Sequence, residues 1–260
     1  MKIATFNVNS LKVRMENLKV WLKEADPDVV CLQETKSTDE TFPRAELEDL
    51  GYNLAIHGQK TYNGVALISK HPMEDIRIGL PGDDSDEQAR YIEAVIPAGD
   101  TVLRVASIYL PNGNPVDTEK FPYKLRWMER LKAHAAELLT YEEPLVLAGD
   151  YNVIPTADDV YDEKAWEGDA LTQPQSRAAL REIINLGFTD AFRACHNEPH
   201  RYTFWDYQAG RWQKGQGIRI DHLLLSPQAA DRLTGCDIDI DPRGREKPSD
   251  HTPIWAKLAF

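Results

Sequence analysis

Polar side chains able to do chemistry stand at the ends of short apolar runs along this chain. Asn7 ends the first run. Glu34 follows Val29-Val30-Cys31-Leu32-Gln33, Tyr109 closes Leu103 to Ile108, and Asp150 and Asn152 follow Leu145-Val146-Leu147-Ala148. Asp221 sits inside Ile218-Arg219-Ile220-Asp221-His222-Leu223, and Asp250 and His251 come just before the last run, Ile254 to Leu258. Carboxylates are hard oxygen donors, which suit Mg²⁺ or Mn²⁺ rather than zinc. Mg²⁺ takes few protein carboxylates and keeps several waters, which leaves room for a substrate phosphate. An Asp can take a proton from water, and an Asp–His pair can orient and charge an imidazole against a phosphoryl oxygen. A Tyr hydroxyl and Asn amides can donate to developing negative charge. The chain has no Ser-His-Asp order, no nucleophilic Cys motif, no P-loop and no G-x-G-x-x-G. Metal-assisted hydrolysis of a phosphate ester is the reaction that uses every part.

Taken singly, each position also has a plainer reading. Asn7 can cap a turn, and Asp150 and Asn152 can be turn formers through their own side chains. Asp221 can be ion-paired with Arg219, and His251 can be a satisfied surface or core histidine. Together the plain readings weaken, because a buried polar group without a partner costs about 1–3 kcal/mol. The ends of strands in a sandwich gather residues distant in sequence onto one rim.

The elements that must position these groups are mostly strands. Apolar runs bounded by turn residues predict strands over Lys2 to Val8, Val29 to Gln33, Val65 to Ser69, Tyr91 to Ile96, Leu103 to Tyr109, Leu145 to Ala148, Ile220 to Leu225 and Ile254 to Leu258. Further hairpin-like runs lie between residues 52 and 109. Helical period marks three segments. One follows Ser10, a good cap, with Leu11, Met15, Leu18 and Leu22 on a stripe. The second carries Tyr123, Trp127, Leu131 and Leu138, and the third carries Leu180, Ile183 and Leu186 and stops at Gly187. The order is not a strict β-α-β-α alternation. It suits an α/β sandwich in which two packed mixed sheets are flanked by helices. A loose rhythm divides the chain into two halves, each with strands and a helix. Loops such as Pro111-Asn112-Gly113-Asn114-Pro115 and Gly149-Asp150-Tyr151-Asn152 follow strands, where binding residues tend to sit.

Composition bounds the rest. With 260 residues and 42% hydrophobic content, one domain over 1–260 is expected. The net charge, 30 − 42 = −12, argues against a nucleic-acid partner when taken alone. Distant charges are screened beyond roughly 8 Å in physiological salt, however, so the face around the site matters more. Lys36, Lys60, Arg90, Lys120, Lys124, Arg211 and Lys214 lie in or beside loops that can line one face. The acidic segments Asp83-Asp84-Ser85-Asp86-Glu87 and Tyr141-Glu142-Glu143 can sit elsewhere. Cys31, Cys195 and Cys236 form no zinc-like pair and suit reduced thiols, with Cys31 read as a core residue. No apolar run approaches the roughly 18 residues of a membrane span, and the first strand is too short in its apolar part for a signal peptide. A cytoplasmic monomer without a membrane partner is the expectation.

Read in order, the segments become recognisable. They are Thr5-Phe6-Asn7-Val8-Asn9-Ser10-Leu11, Leu32-Gln33-Glu34-Thr35-Lys36, Gly64-Val65-Ala66-Leu67, Tyr109-Leu110-Pro111-Asn112-Gly113, Gly149-Asp150-Tyr151-Asn152-Val153, Phe204-Trp205-Asp206-Tyr207, Arg219-Ile220-Asp221 and Ser249-Asp250-His251. The set resembles the exonuclease III-type abasic-site endonucleases of the endonuclease/exonuclease/phosphatase superfamily. The resemblance runs from residue 5 to residue 251. It implies a four-layer α/β sandwich and a metal-dependent nuclease, a DNA-repair hydrolase. Its substrate would be double-stranded DNA carrying abasic sites or 3′ ends. Such an enzyme cleaves 5′ to abasic sites, removes 3′-blocking groups and can act as a 3′→5′ exodeoxyribonuclease.

Residue by residue, the resemblance implies that Glu34 is the principal metal ligand, with Asn7 and Asp250 close to the metal. Asp150 corresponds to the group that activates water. Asn152 and Tyr109 correspond to contacts to the scissile phosphate in the transition state, and Asp221 to the partner that orients His251 toward a phosphate oxygen. Asn112 matches a phosphate contact, and Lys36 and Arg90 join it as substrate-binding candidates. Phe204, Ile218 and Ile220 fall where relatives line a pocket for a flipped abasic sugar, although core packing is the other reading of all three. Ile218 departs from relatives with a large aromatic there. Asn9 stands where some relatives have Asp, which weakens the case for a second metal ligand. Two other classes compete: a phosphoesterase of the same superfamily acting on a small-molecule or lipid phosphate ester, and a non-catalytic DNA-binding module.

Overall fold

The computed structural model describes residues 1–260. The chain runs through β1 (Lys2–Asn7), α1 (Leu11–Ala25), β2 (Val29–Gln33), α2 (Arg44–Glu48), β3 (Asn53–His57), β4 (Val65–Ser69), β5 (Glu74–Ile78), β6 (Tyr91–Ala98) and β7 (Thr101–Tyr109). It continues through α3 (Lys120–Leu139), β8 (Leu145–Asp150), α4 (Pro174–Ile184), β9 (Thr189–Asp190), α5 (Ala191–Cys195), β10 (Asp221–Leu225), α6 (Pro227–Ala230), β11 (Leu233–Ile238) and β12 (Ile254–Leu258). The strands form two six-stranded sheets, ordered β11-β12-β1-β2-β4-β3 and β5-β6-β7-β8-β10-β9. Both sheets are mixed. Each has one parallel pair, β1 with β2 and β7 with β8, and its other neighbours are antiparallel. A long helix, α1 in one half and α3 in the other, makes the crossover that each parallel pair requires.

The burial pattern explains the layering. Strands β2, β4, β8 and β10 are buried at every position because both faces of the sheets are covered. Ile3, Val29, Cys31 and Leu67 of one sheet meet Ala94, Val105, Val146 and Leu223 of the other between the two layers. Outside the first sheet, Leu11, Met15, Leu18 and Leu22 of α1 pack on Phe6, Leu32 and Ile68. Outside the second, Trp127, Leu131 and Leu138 of α3 and Leu180 and Ile183 of α4 pack on Ile108 and Leu147. The result is the four-layer sandwich expected, and the loose two-half rhythm is a repeated strand order. No helix is long and apolar enough to cross a membrane.

Local expectations fail where a neighbour overrides them. Ser10 precedes α1 with φ 81 and its side chain makes no capping bond. The third of the expected helices, α4, ends at Ile184, short of Gly187, and leaves Leu186 exposed. Strand β11 was not legible, because Thr234 and Gly235 interrupt its apolar pattern and its pairing with β12 shifts register there. Cys31 and Cys236 are buried, Cys195 is exposed, and all are free.

Candidate active site

Parallel pairing places the ends of β1 and β2 on one rim and those of β7 and β8 on the facing rim. Asn7 pairs with Gln33, one residue before Glu34, and Tyr109 pairs with Asp150. Antiparallel pairing then sets Asp221 directly opposite Asp150. The segment before β12 delivers Asp250 and His251, and an isolated bridge couples His251 to Phe204.

The side chains join across the rims. The Asn7 amide donates to Glu34 Oε1 at 2.8 Å and to Asp150 Oδ2 at 2.9 Å, tying one sheet to the other. Its Oδ1 accepts from the backbone N–H of Asn9 at 3.0 Å. The His251 ring meets Asp221 Oδ2 through Nδ1 at 2.9 Å, and its Nε2 lies 3.7 Å from Asp150 Oδ2. Asn152 donates its backbone N–H to Asp150 Oδ1 at 2.9 Å and its amide to Leu110 O at 2.9 Å. Asn112 donates to Asn152 Oδ1 at 3.2 Å. Lys36 lies 3.0 Å from Glu34 Oε2 and donates to Asn9 Oδ1 at 2.6 Å. The Asn9 amide in turn donates to Asp250 Oδ1 at 3.0 Å. Arg90 lies over the Tyr109 ring at 4.8 Å from its centroid.

Electrostatics separates the acidic groups. Burial alone would raise the Glu34 carboxyl, but the Asn7 amide, the Lys36 ammonium and His251 outweigh it and hold Glu34 below the usual carboxylate range. Burial pushes Asp150 up, and Asp221 and Glu34 add to that push against the opposing His251 and Asn7. Burial would lower His251, yet Asp221 and Asp150 overcome it and raise the imidazolium to about 10. The Tyr109 hydroxyl is raised well above its ordinary value by burial and by Glu34 and Asp150, so it stays a donor.

Ligand atoms of Glu34, Asp150 and His251 all lie within 4.8 Å of one another, a set that can hold a metal ion. His251 Nδ1 is engaged by Asp221, so the available donors are chiefly carboxylate oxygens, with Asp250 reached through Asn9. A donor set of this kind fits a hard divalent cation. One buried acceptor here, Asp221 Oδ1, has no hydrogen-bond partner.

The site therefore brings together Asn7, Glu34, Tyr109, Asp150, Asn152, Asp221 and His251, with Asp250, Lys36, Arg90 and Asn112 at its edge. The plain reading of Asp221 as the partner of Arg219 does not hold: Arg219 donates to Asp159 at 2.7 Å and Asp190 at 2.9 Å, leaving Asp221 to His251. Phe204 packs edge-on against His251, with ring centroids 4.9 Å apart. Ile218 and Ile220, at 0% and 2% exposure, are sealed beneath with Ile154, Val160 and Leu171. The open pocket beside Phe204, about 210 Å³, is lined instead by Tyr161, Trp166, Asp206, Arg211 and Gln216. Tyr161 and Trp166 were not foreseen, since their turn-rich segment has no period. Lys60, Lys120 and Lys214 are exposed, but Lys124 is wholly buried and is no surface contact.

Comparison with known proteins places the chain in a family. Residues 4–251 match the model of the Endonuclease/Exonuclease/phosphatase family. The chain is 35% identical to an exodeoxyribonuclease III of Haemophilus influenzae, over 99% of this chain and 100% of the relative. Among solved structures it is similar to an AP endonuclease from Archaeoglobus fulgidus, at TM-score 0.94 and 39% identity with both chains fully covered. It is similar also to the 3′ phosphatase NExo from Neisseria bound to a product DNA hairpin, at TM-score 0.95 and 36% identity, again with both chains fully covered.

Proposed function

We propose, from the premise that this chain belongs to the endonuclease/exonuclease/phosphatase family, that its site hydrolyses phosphodiesters of double-stranded DNA 5′ to abasic sites and at blocked 3′ ends. The enzyme is a DNA repair nuclease and a metal-dependent phosphodiesterase of the exodeoxyribonuclease III type. A 3′→5′ exodeoxyribonuclease activity belongs to the same proposal. The observation that carries it is the unbroken chain Glu34–Asn7–Asp150–His251–Asp221, which crosses from one sheet to the other and sorts three carboxylates into different environments.

In this reading Glu34, with Asn7 and Asp250 nearby, holds a divalent cation, Mg²⁺ or Mn²⁺. Such a cation supplies Lewis-acid stabilisation of charge on the scissile phosphate. Asp150, whose burial makes it a better proton acceptor than an ordinary Asp, orients a water and takes its proton as the water attacks phosphorus; the P–O3′ bond breaks, and the 3′ oxygen leaves as an alcohol with a proton from solvent. His251 stays cationic, and its Nε2–H faces a non-bridging oxygen while Asp221 holds Nδ1. Asn152 uses the amide hydrogen left over from Leu110, and Tyr109 its hydroxyl, to meet the charge that grows on the phosphate. Asn112, Lys36 and Arg90 contact flanking phosphates. Phe204 offers an apolar wall beside His251, and Ile218 and Ile220 back that wall from beneath.

The test is a duplex with one abasic site, incubated with Mg²⁺ or with EDTA, using wild type and Glu34→Ala. Cleavage is expected only for wild type with Mg²⁺. Equal cleavage in every arm, or none by wild type with Mg²⁺, overturns the proposal; turnover of a phosphoinositide by that inert wild type would favour the small-molecule or lipid phosphoesterase.

A further inference from the structure

We infer that Lys124 is a positioning residue for this reaction: its buried side chain fastens the loop carrying Asn112 to the loop carrying Asn152, and so sets both amides relative to Asp150. The inference rests on the function proposed above, because it assigns those amides to the phosphate.

A lysine on the buried stripe of α3 is unexpected. It shares that face with Trp127, Met128 and Leu131 and is 0% exposed. An ammonium removed from water must find acceptors, since an unpaired buried charge is strongly unfavourable. Lys124 Nζ finds two, Asn112 O at 3.0 Å and Asn152 O at 2.5 Å. Those carbonyls belong to the segments that leave β7 and β8, the parallel pair ending at Tyr109 and Asp150. Burial pushes the Lys124 ammonium down to about 7, while Asp150 and Asp169 pull the other way. Either protonation state keeps at least two N–H donors for the two carbonyls.

The loop is also shaped to this side chain. Gly113 adopts φ +90°, and a Cβ there would stand 2.7 Å from Lys124 Cδ. The aliphatic stem thus forms the floor on which the Asn112–Gly113 turn rests. On the next residue, Asn114 bonds Asp169 at 3.0 Å and accepts from Ala170 N at 2.9 Å, pinning the far side of the turn. With the two backbones joined through one Nζ, the Asn112 amide reaches Asn152 Oδ1, and Asn152 N–H reaches Asp150. Lys124 itself faces neither solvent nor the site opening, so it acts through these residues and does not touch substrate.

A double-mutant cycle separates positioning from general stabilisation. Lys124→Met and Lys124→Gln are each made in the wild type and in an Asn112→Ala/Asn152→Ala background. Activity is assayed on abasic duplex with Mg²⁺, well below each variant's Tm, and duplex affinity is measured in EDTA. Lys124→Met in the wild type is expected to lower kcat about 100-fold, with KM and the EDTA affinity changed less than about threefold. In the doubly substituted background the same change is expected to cost less than about threefold in kcat. Lys124→Gln, which keeps an amide donor, is expected to fold and to lose an intermediate amount, and it carries the cycle if the Met variant does not fold. Equal fold-losses in both backgrounds, an unchanged kcat, or a loss confined to KM overturns the inference. Wild type inert on abasic DNA would instead overturn the function on which it rests.

Discussion

Glu34 and Asp150 stand at similar places in the two halves of the molecule, Glu34 one residue beyond the second strand of its sheet's parallel pair and Asp150 at the end of that strand in the other. Their surroundings differ. Glu34 keeps 18% of its side chain exposed and has an ammonium 3.0 Å away, so it remains an anion. Asp150 keeps 2%, faces Asp221 across the strand pair and is pushed toward holding a proton. The lysines of the two halves differ in the same sense. Lys36 reaches Glu34 and Asn9 from a partly exposed position, whereas Lys124 lies wholly inside and grips backbone carbonyls. One repeated scaffold thus yields an anionic, cation-binding rim and a dry, proton-accepting rim, and the difference arises from desolvation and neighbours rather than residue type.

Breaking the dry rim is expected to have the largest effect. Asp150→Asn keeps the shape but removes the proton acceptor, and kcat on abasic duplex should fall by about 10⁴-fold, with no recovery as Mg²⁺ is raised in a titration. Glu34→Gln should fall less, by about 10³-fold, and should regain part of its rate at high Mg²⁺. Recovery of the Asp150 variant but not of the Glu34 variant would invert the assignment of the two rims.

Asp221→Asn tests what keeps His251 charged. Asp221 is the largest influence raising the imidazolium, so its loss should lower kcat about 100-fold and move the alkaline limb of the pH–rate profile to lower pH. For stability the sign is the same. A histidine raised from about 6.5 unfolded to about 10 folded stabilises fully below the lower value, and that contribution is lost as pH rises through the upper one. Thermal melts of wild type and variant between those limits should converge with rising pH. A pH-independent difference would sink the account.

The smallest effect concerns Lys124, which has the opposite sign. Its folded value, about 7, lies below that of an unfolded lysine, so the native state binds fewer protons between the two. The cost of burying the charge is present below pH 7 and relieved as pH rises. The stability of wild type relative to Lys124→Met should therefore increase from pH 7 to 9, by at most about 1.4 kcal/mol per unit. Denaturant melts at the two pH values measure this, and a decrease would contradict a buried, depressed lysine.

Much of this site could be read from the chain. Asn7, Glu34, Asp150, Asn152 and Asp221 each end, follow or interrupt an apolar run and His251 precedes one, and strand ends on a common rim bring such residues together. The pocket was less legible. Ile218 and Ile220 are apolar in an apolar strand, and nothing in a sequence distinguishes a residue facing an opening from one sealed beneath it. Tyr161 and Trp166 come from turn-rich segments whose path is set by contacts, not by period.

What the sequence by itself determined is the identity and order of the chemical groups and the apolar spacing that makes two sheets from strand runs. Tertiary structure decided their states. Asn7 bonds a residue 143 positions away, Arg219 turns from Asp221 to Asp159 and Asp190, and Lys124 turns inward from a helix whose neighbouring lysine faces solvent. The reason is physical: a charge's protonation and reach depend on how much water it has lost and which dipoles and charges replace that water. Those replacements come from segments remote in the chain, so they exist only once the two sheets have closed on each other.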